Sequence, residues 1–133
     1  MKHAFLAGLI FILAGCATAI PGCNAGLMPM LEARLFFGDQ ITGDGTISAA
    51  QWRQFVDSEV TPRFPDGFTV LTTMGQWSRS DGMIARETGH ELVIIFARSA
   101  ATGEKLDAIR AAYKRRFMQE SVLLVESPAC AGF

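Results

Sequence analysis

The sequence predicts an α+β fold: one antiparallel sheet of four strands with two helices on one face. Three observations carry that prediction. Four apolar stretches of strand length, near residues 31–37, 68–77, 91–96 and 121–126, are divided by Gly, Pro or polar segments. Two stretches, 48–60 and 102–118, place their apolar residues at helical spacing instead. The resulting order is β-α-β-β-α-β, two βαβ halves joined at Val60–Leu71. There Pro62 and Pro65 stop a helix, and Asp66-Gly67 turns the chain into the next strand.

The first strand, Leu31 to Phe37, is short, apolar and halted by Gly38. In the loop that follows, Asp44-Gly45-Thr46-Ile47-Ser48 resembles half of a calcium-binding loop. Gln40 and Gln51 stand where the first carboxylate and the bidentate glutamate should be, so the ligand set is too poor in anionic oxygen for calcium. Ser48 and Gln51 make better sense as a capping box for the first helix, whose inner face is Trp52, Phe55, Val56 and Val60. The second strand, Phe68 to Trp77, is β-branched and aromatic. A polar segment with an Asp81-Gly82 turn leads to the third strand, Glu91 to Phe96, so the two should form a hairpin with a long tip. The second helix turns Leu106, Ile109, Tyr113 and Phe117 inward, and Ser121 to Glu126 is the fourth strand, ended by Pro128.

This order is that of the ferredoxin-like split βαβ arrangement, with strands in spatial order 4-1-3-2. Such a sheet sets the start of strand 1 beside the end of strand 4. Cys23 precedes the former and Cys130 follows the latter, and in an exported chain the pair reads as a disulfide. Two free thiols are the alternative.

Export is written in the first residues. Lys2 and His3 precede an apolar run, Ala4 to Ala14, which is too short to span a bilayer and has the layout of a signal peptide. Leu13-Ala14-Gly15-Cys16 resembles a lipobox, so residues 1–15 are read as a lipoprotein signal and Cys16 as the lipidated residue, palmitate being among the acyl chains. The alternative is an ordinary signal peptide with an incidental cysteine. Residues 16–30 read as a lipidated tether and 31–133 as a single domain. Ala17, where an aspartate is absent, points to the periplasmic face of the outer membrane.

Charge and motifs exclude several functions. Without Lys2, 11 basic residues face 13 acidic ones, a net charge of −2 with no basic stripe for nucleic acid. His90 is the single histidine after the signal, too few nitrogen ligands for a zinc site beside paired cysteines. Ser78, Ser80 and Ser121 lack a nucleophile elbow, and no phosphate-cradling or dinucleotide glycine loop occurs. No metal or cofactor is expected.

Two features suggest a role. Leu35-Phe36-Phe37, Leu92 to Phe96 and Val122 to Val125 are apolar at consecutive positions, so both sheet faces need cover. Helices cover one; a second copy of the chain, the tether, the C-terminal tail or a ligand would cover the other. In addition, the fold collects Gln76, Trp77, Arg79, Arg86, Glu87, Gln119 and Glu120 at one end, with Asp39 and His90. Arginines there can fork onto an anion and Trp77 offers a stacking face. The bland reading of these residues is solvated charge pairs and strand-end packing. Two functions follow: a non-catalytic envelope lipoprotein that dimerises or binds a partner, or a small enzyme or ligand binder of the dimeric α+β barrel type with a pocket near Trp77, Arg86 and Glu120.

Arg34-Leu35-Phe36-Phe37-Gly38, Thr61 to Gly67, Gly75-Gln76-Trp77, Arg86-Glu87 and Tyr113 to Leu123 together resemble a family of small bacterial exported proteins, often lipoproteins, whose domain has no known function. The resemblance spans residues 31–126. It implies export and a single domain and supplies no catalytic residue. Family members often carry a glutamate at the third position of the first helix, where this chain reads Ser48-Ala49-Ala50-Gln51.

Overall fold

A computed structural model describes residues 22–41 and 45–132. The signal segment, Cys16 and Asp44 of the calcium-loop resemblance lie outside the described residues. The long strands are β1 (Met28–Gly38), β4 (Thr69–Ser78), β5 (Ile84–Phe96) and β6 (Leu123–Ala131). A two-residue pair, β2 (Gln40–Ile41) and β3 (Gly45–Thr46), stands in the loop after β1. The helices are α1 (Ala49–Phe55), which passes into a π-helical turn Val56–Val60, and α2 (Ala100–Phe117). All long strands are antiparallel in the order β4-β5-β1-β6, the expected 4-1-3-2 arrangement read from the other edge.

Local chemistry explains the ends of each element. Ser48 accepts from the Gln51 amide while the Gln51 side chain accepts from the Ser48 amide, so the capping box forms as read. Ser99 caps α2 through the Thr102 amide, and Met118 closes it in the left-handed region at φ 52°. Arg63 folds back onto Glu59, donating to its backbone oxygen and carboxylate at 2.6 and 2.9 Å. Gly67, at φ 135°, then makes the turn into β4.

Three strands are longer than the residues suggest, and β1 is the first: it begins at Met28, inside the stretch 16–30 read as tether. The β4–β5 hairpin has a tight tip, with Arg79 N–H donating to Met83 O, because residues 84–90, largely read as part of a polar loop, still pair as strand. On an exposed hairpin arm polar side chains cost nothing, so the segment reads as loop and pairs as strand. β6 runs through Pro128 to Ala131. It is an edge strand, and the amide that proline lacks is not needed on the open side.

Leu31, Ala33, Leu35 and Phe37 of β1 oppose Phe96, Ile94, Leu92 and His90 of β5, on the face that meets the helices. With Trp52, Phe55, Leu106, Ile109, Tyr113 and Phe117 they form the core. Each large apolar side chain buried there contributes about 1.5–3 kcal/mol of transfer free energy. Tyr113 is fully buried and donates to Gly38 O at 3.0 Å; burial holds its hydroxyl protonated, well above the ordinary tyrosine pKa. Cys23 and Cys130 form the disulfide, with Cα atoms 5.6 Å apart. Among the described residues no helix is long and apolar enough to cross a membrane.

Candidate functional site

The sheet face turned away from the helices carries Glu32, Arg34 and Phe36 of β1, Glu91, Val93 and Ile95 of β5, Leu71 of β4, and Leu123 and Val125 of β6. Glu91, only 5% exposed, has Phe36 and Leu71 as its cross-strand partners and is bonded by Arg34 Nε. That bond and the Glu91 charge raise the Arg34 pKa above its ordinary value. Around this pair the aliphatic side chains stay open: Leu123 is 58% and Leu71 46% exposed. The consecutive apolar residues of the strands thus serve two faces, one packed on helices and one bare among the described residues.

At the hairpin end this face loses its side chains. Gly38 and Gly89 are direct cross-strand partners, and Gly75 stands opposite Glu87. A Cβ at Gly89 would run into the Phe37 carbonyl, and one at Gly38 into the Glu87 carboxylate. Beside them, where nothing lies within 4 Å of a Cβ at Gly75, is an open groove of about 410 Å³, rimmed by Phe36, Leu123, Met74 and Trp77 and bounded by Gln76, Glu87 and Gln119. Glu87 is fixed from two sides: Trp77 Nε1–H donates to Oε1 at 2.6 Å and Gln40 N–H to Oε2 at 2.8 Å.

The other predicted site residues gather at the same end. Gln119 donates to Gln40 O at 2.6 Å. Glu120 accepts from the Ser80 amide and hydroxyl at 3.2 and 3.1 Å, closing the hairpin tip onto the turn after α2. Arg79 and Glu120 line a smaller recess that shares Trp77, Glu87 and Gln119 with the groove. Arg86 bonds the Gln76 side chain and lines neither recess, and Arg79 faces Asp81 at 3.8 Å. The arginines expected to meet an anion are therefore turned to other partners. What sequence reasoning missed is the glycine hollow and the orientation of Glu87. Three scattered glycines carry no signal until strand register aligns them.

On the opposite face His90 stacks on Trp52, centroids 4.1 Å apart and ring planes nearly parallel, with Nε2 3.5 Å from the buried Asp39 carboxylate. Thr88 Oγ donates to the other Asp39 oxygen. Burial lowers the His90 pKa below the usual 6.5, with the Asp39 charge opposing more weakly. An unfolded chain then takes up this proton more readily than the folded one. Stability is full above pH 6.5 and falls as the pH drops below it. His90→Phe, which keeps a flat ring on Trp52, should flatten the dependence of Tm on pH between about 7 and 5.5. An unchanged slope would assign the loss to other groups.

The family model described as a protein of unknown function, DUF3574, matches residues 32–133. None of the curated proteins matches. Among solved structures the fold is similar to a phage SAM lyase in complex with S-methyl-5'-thioadenosine: TM-score 0.63, 16% identity, covering 78% of this chain and 90% of that one. The same lyase in its apo state gives a TM-score of 0.58 at 16% identity, covering 86% and 97%. CutA from Synechococcus elongatus gives 0.51 at 13% identity, covering 81% and 87%. At these identities the likeness is one of fold.

Proposed function

We propose that this chain, which belongs to the DUF3574 family of proteins of unknown function, is an exported, lipid-anchored interaction module that pairs with a second copy through the bare face of its sheet. The observation that carries this reading is that face, with Leu71, Leu123 and Val125 exposed around the Arg34–Glu91 pair. A continuous apolar surface of this kind marks an interaction site. A second copy suits it by charge: Arg34, 44% exposed, stands 4.0 Å from Glu32, and in a two-fold pair each arginine can reach the other copy's Glu32 reciprocally. The Cys23–Cys130 bond supports an oxidising compartment. Lipid on Cys16 would hold the module at the periplasmic face of the outer membrane, without a catalytic role.

One preparation tests both halves of the proposal. The full chain with Cys16→Ser is expected to leave the membrane fraction for the soluble one, and light scattering should then give the mass of a dimer. Leu123→Glu or Val125→Glu in that background should give a folded monomer, judged by an unchanged circular dichroism spectrum. Membrane retention without Cys16 would remove the anchor; a wild-type monomer would remove the interface.

The groove favours a second reading, a small enzyme or ligand binder with its pocket beside Trp77, Glu87 and Gln119 rather than Arg86. The groove's size falls in the range of small-molecule pockets, about 300–1,000 Å³. The phage lyase of similar fold is described in complex with S-methyl-5'-thioadenosine, so the architecture is compatible with a small ligand.

A further inference from the structure

We infer that the groove at the hairpin end takes a flat aromatic cation, a ring bearing an amidine or protonated amine, with its charge set against Glu87. The inference rests on the ligand-binding reading of this groove and adds the chemistry of the occupant. Three observations select it.

The hollow has the shape for a ring. Gly75 leaves bare backbone on β4, with nothing within 4 Å of where its side chain would stand, so a planar group can lie against the sheet there beside Glu87. Phe36, Leu123 and Trp77 border that floor with apolar and aromatic surface.

The anion is built in. Gln40 N–H and the Trp77 indole hold the two Glu87 oxygens at hydrogen-bond distance, and the seat exists because Gly38 has no side chain. These neutral donors orient the carboxylate and leave its charge uncompensated. No Lys, Arg or His stands within salt-bridge distance of Glu87 among the described residues. Each oxygen keeps acceptor capacity for a further N–H.

The cations of this end are already engaged. Arg86 donates to Gln76, and Arg79 faces Asp81. A carboxylate or phosphate ligand in the groove would meet Glu87 with no arginine in the lining, Arg79 standing in the adjoining recess, whereas an amidinium would find a two-oxygen acceptor. The electrostatics select the positive ligand.

The test uses the full exported chain with Cys16→Ser, labelled with ¹⁵N and titrated with benzamidine, neutral benzamide and anionic benzoate. Benzamidine is expected to move the Trp77 indole signal and the Gly75 and Gly89 amides saturably, and benzoate to bind at least tenfold more weakly. Glu87→Gln should weaken benzamidine by at least tenfold while leaving benzamide unchanged. Should that variant fail to fold, Gly75→Val decides instead. A Cβ at Gly75 meets nothing within 4 Å, so the valine fills the groove, keeps Glu87 and should abolish the shifts. Benzoate bound as tightly as benzamidine at these residues would overturn the cation assignment and leave a ligand groove standing. Silence of these signals to all three probes would remove both. Benzamidine shifts that survive Gly75→Val would place binding elsewhere and overturn the inference.

Discussion

Phe37→Ala should lower the free energy of unfolding by about 3–5 kcal/mol, the usual cost of emptying a buried aromatic position. Phe37 is 1% exposed, and its ring meets Tyr113, Trp52 and Phe55 at centroid distances of 4.7, 5.3 and 5.9 Å. It joins the central strand to both helices at once. The cluster cannot collapse into the space it leaves, because β1 is held by partners on either side and the rings around it are fixed by further edge contacts. A domain of this size has roughly 5–15 kcal/mol in total, so the variant should stand near the margin of folding. Urea denaturation followed by far-UV circular dichroism measures the loss directly. A value below about 1 kcal/mol would mean that the aromatic cluster repacks freely, against the close packing of protein interiors.

The second large effect is expected from the disulfide. Replacing Cys23 and Cys130 together by serine should cost about 2–5 kcal/mol. The bond closes a loop with a sequence separation of 107 residues, so it removes much of the freedom of the unfolded chain. In the folded state the same residues are already brought together by the register of β1 with β6, where Pro29 opposes Cys130. The serine pair should therefore leave the native spectrum unchanged and lower the urea midpoint. Dithiothreitol added to the wild type should reproduce the shift, and an unchanged midpoint in both experiments would rule the bond out as a stabilising element.

The residues that announced the fold did so through period and punctuation. Leu106, Ile109, Tyr113 and Phe117 lie on one face of α2 as spaced, and Ser48 with Gln51 caps α1 as read. The cysteine pair checked the topology, because a wrong strand order would have left the two thiols apart. Strand ends were less legible. Pro128 reads as a stop and is tolerated because β6 is an edge, a property that only the assembled sheet confers. Residues 84–90 read as loop because polar side chains suit an exposed hairpin arm as well as a turn.

The candidate site was legible as a neighbourhood and illegible as geometry. Gln76, Trp77, Arg79, Glu87, Gln119 and Glu120 do converge at one end, which follows from strand order. Which charged side chain faces inward does not follow from strand order. Arg86 and Glu87 are neighbours on one strand and so project to opposite faces, and a shift of one residue in register would exchange them. The pairing of Gly75 with Glu87 gives the groove a carboxylate rather than a guanidinium.

The disulfide also decides how this domain would carry a load. A tension applied through the chain ahead of Cys23 arrives at a covalent junction between the root of β1 and the far end of β6. The two strands are drawn together as one unit, and the hydrogen bonds between them are spared from being opened one after another. β1 then extends about 35 Å from that junction, at roughly 3.3 Å per residue, to Gly38. The clasped end of the sheet takes the strain, and the groove stands a full strand length away from it.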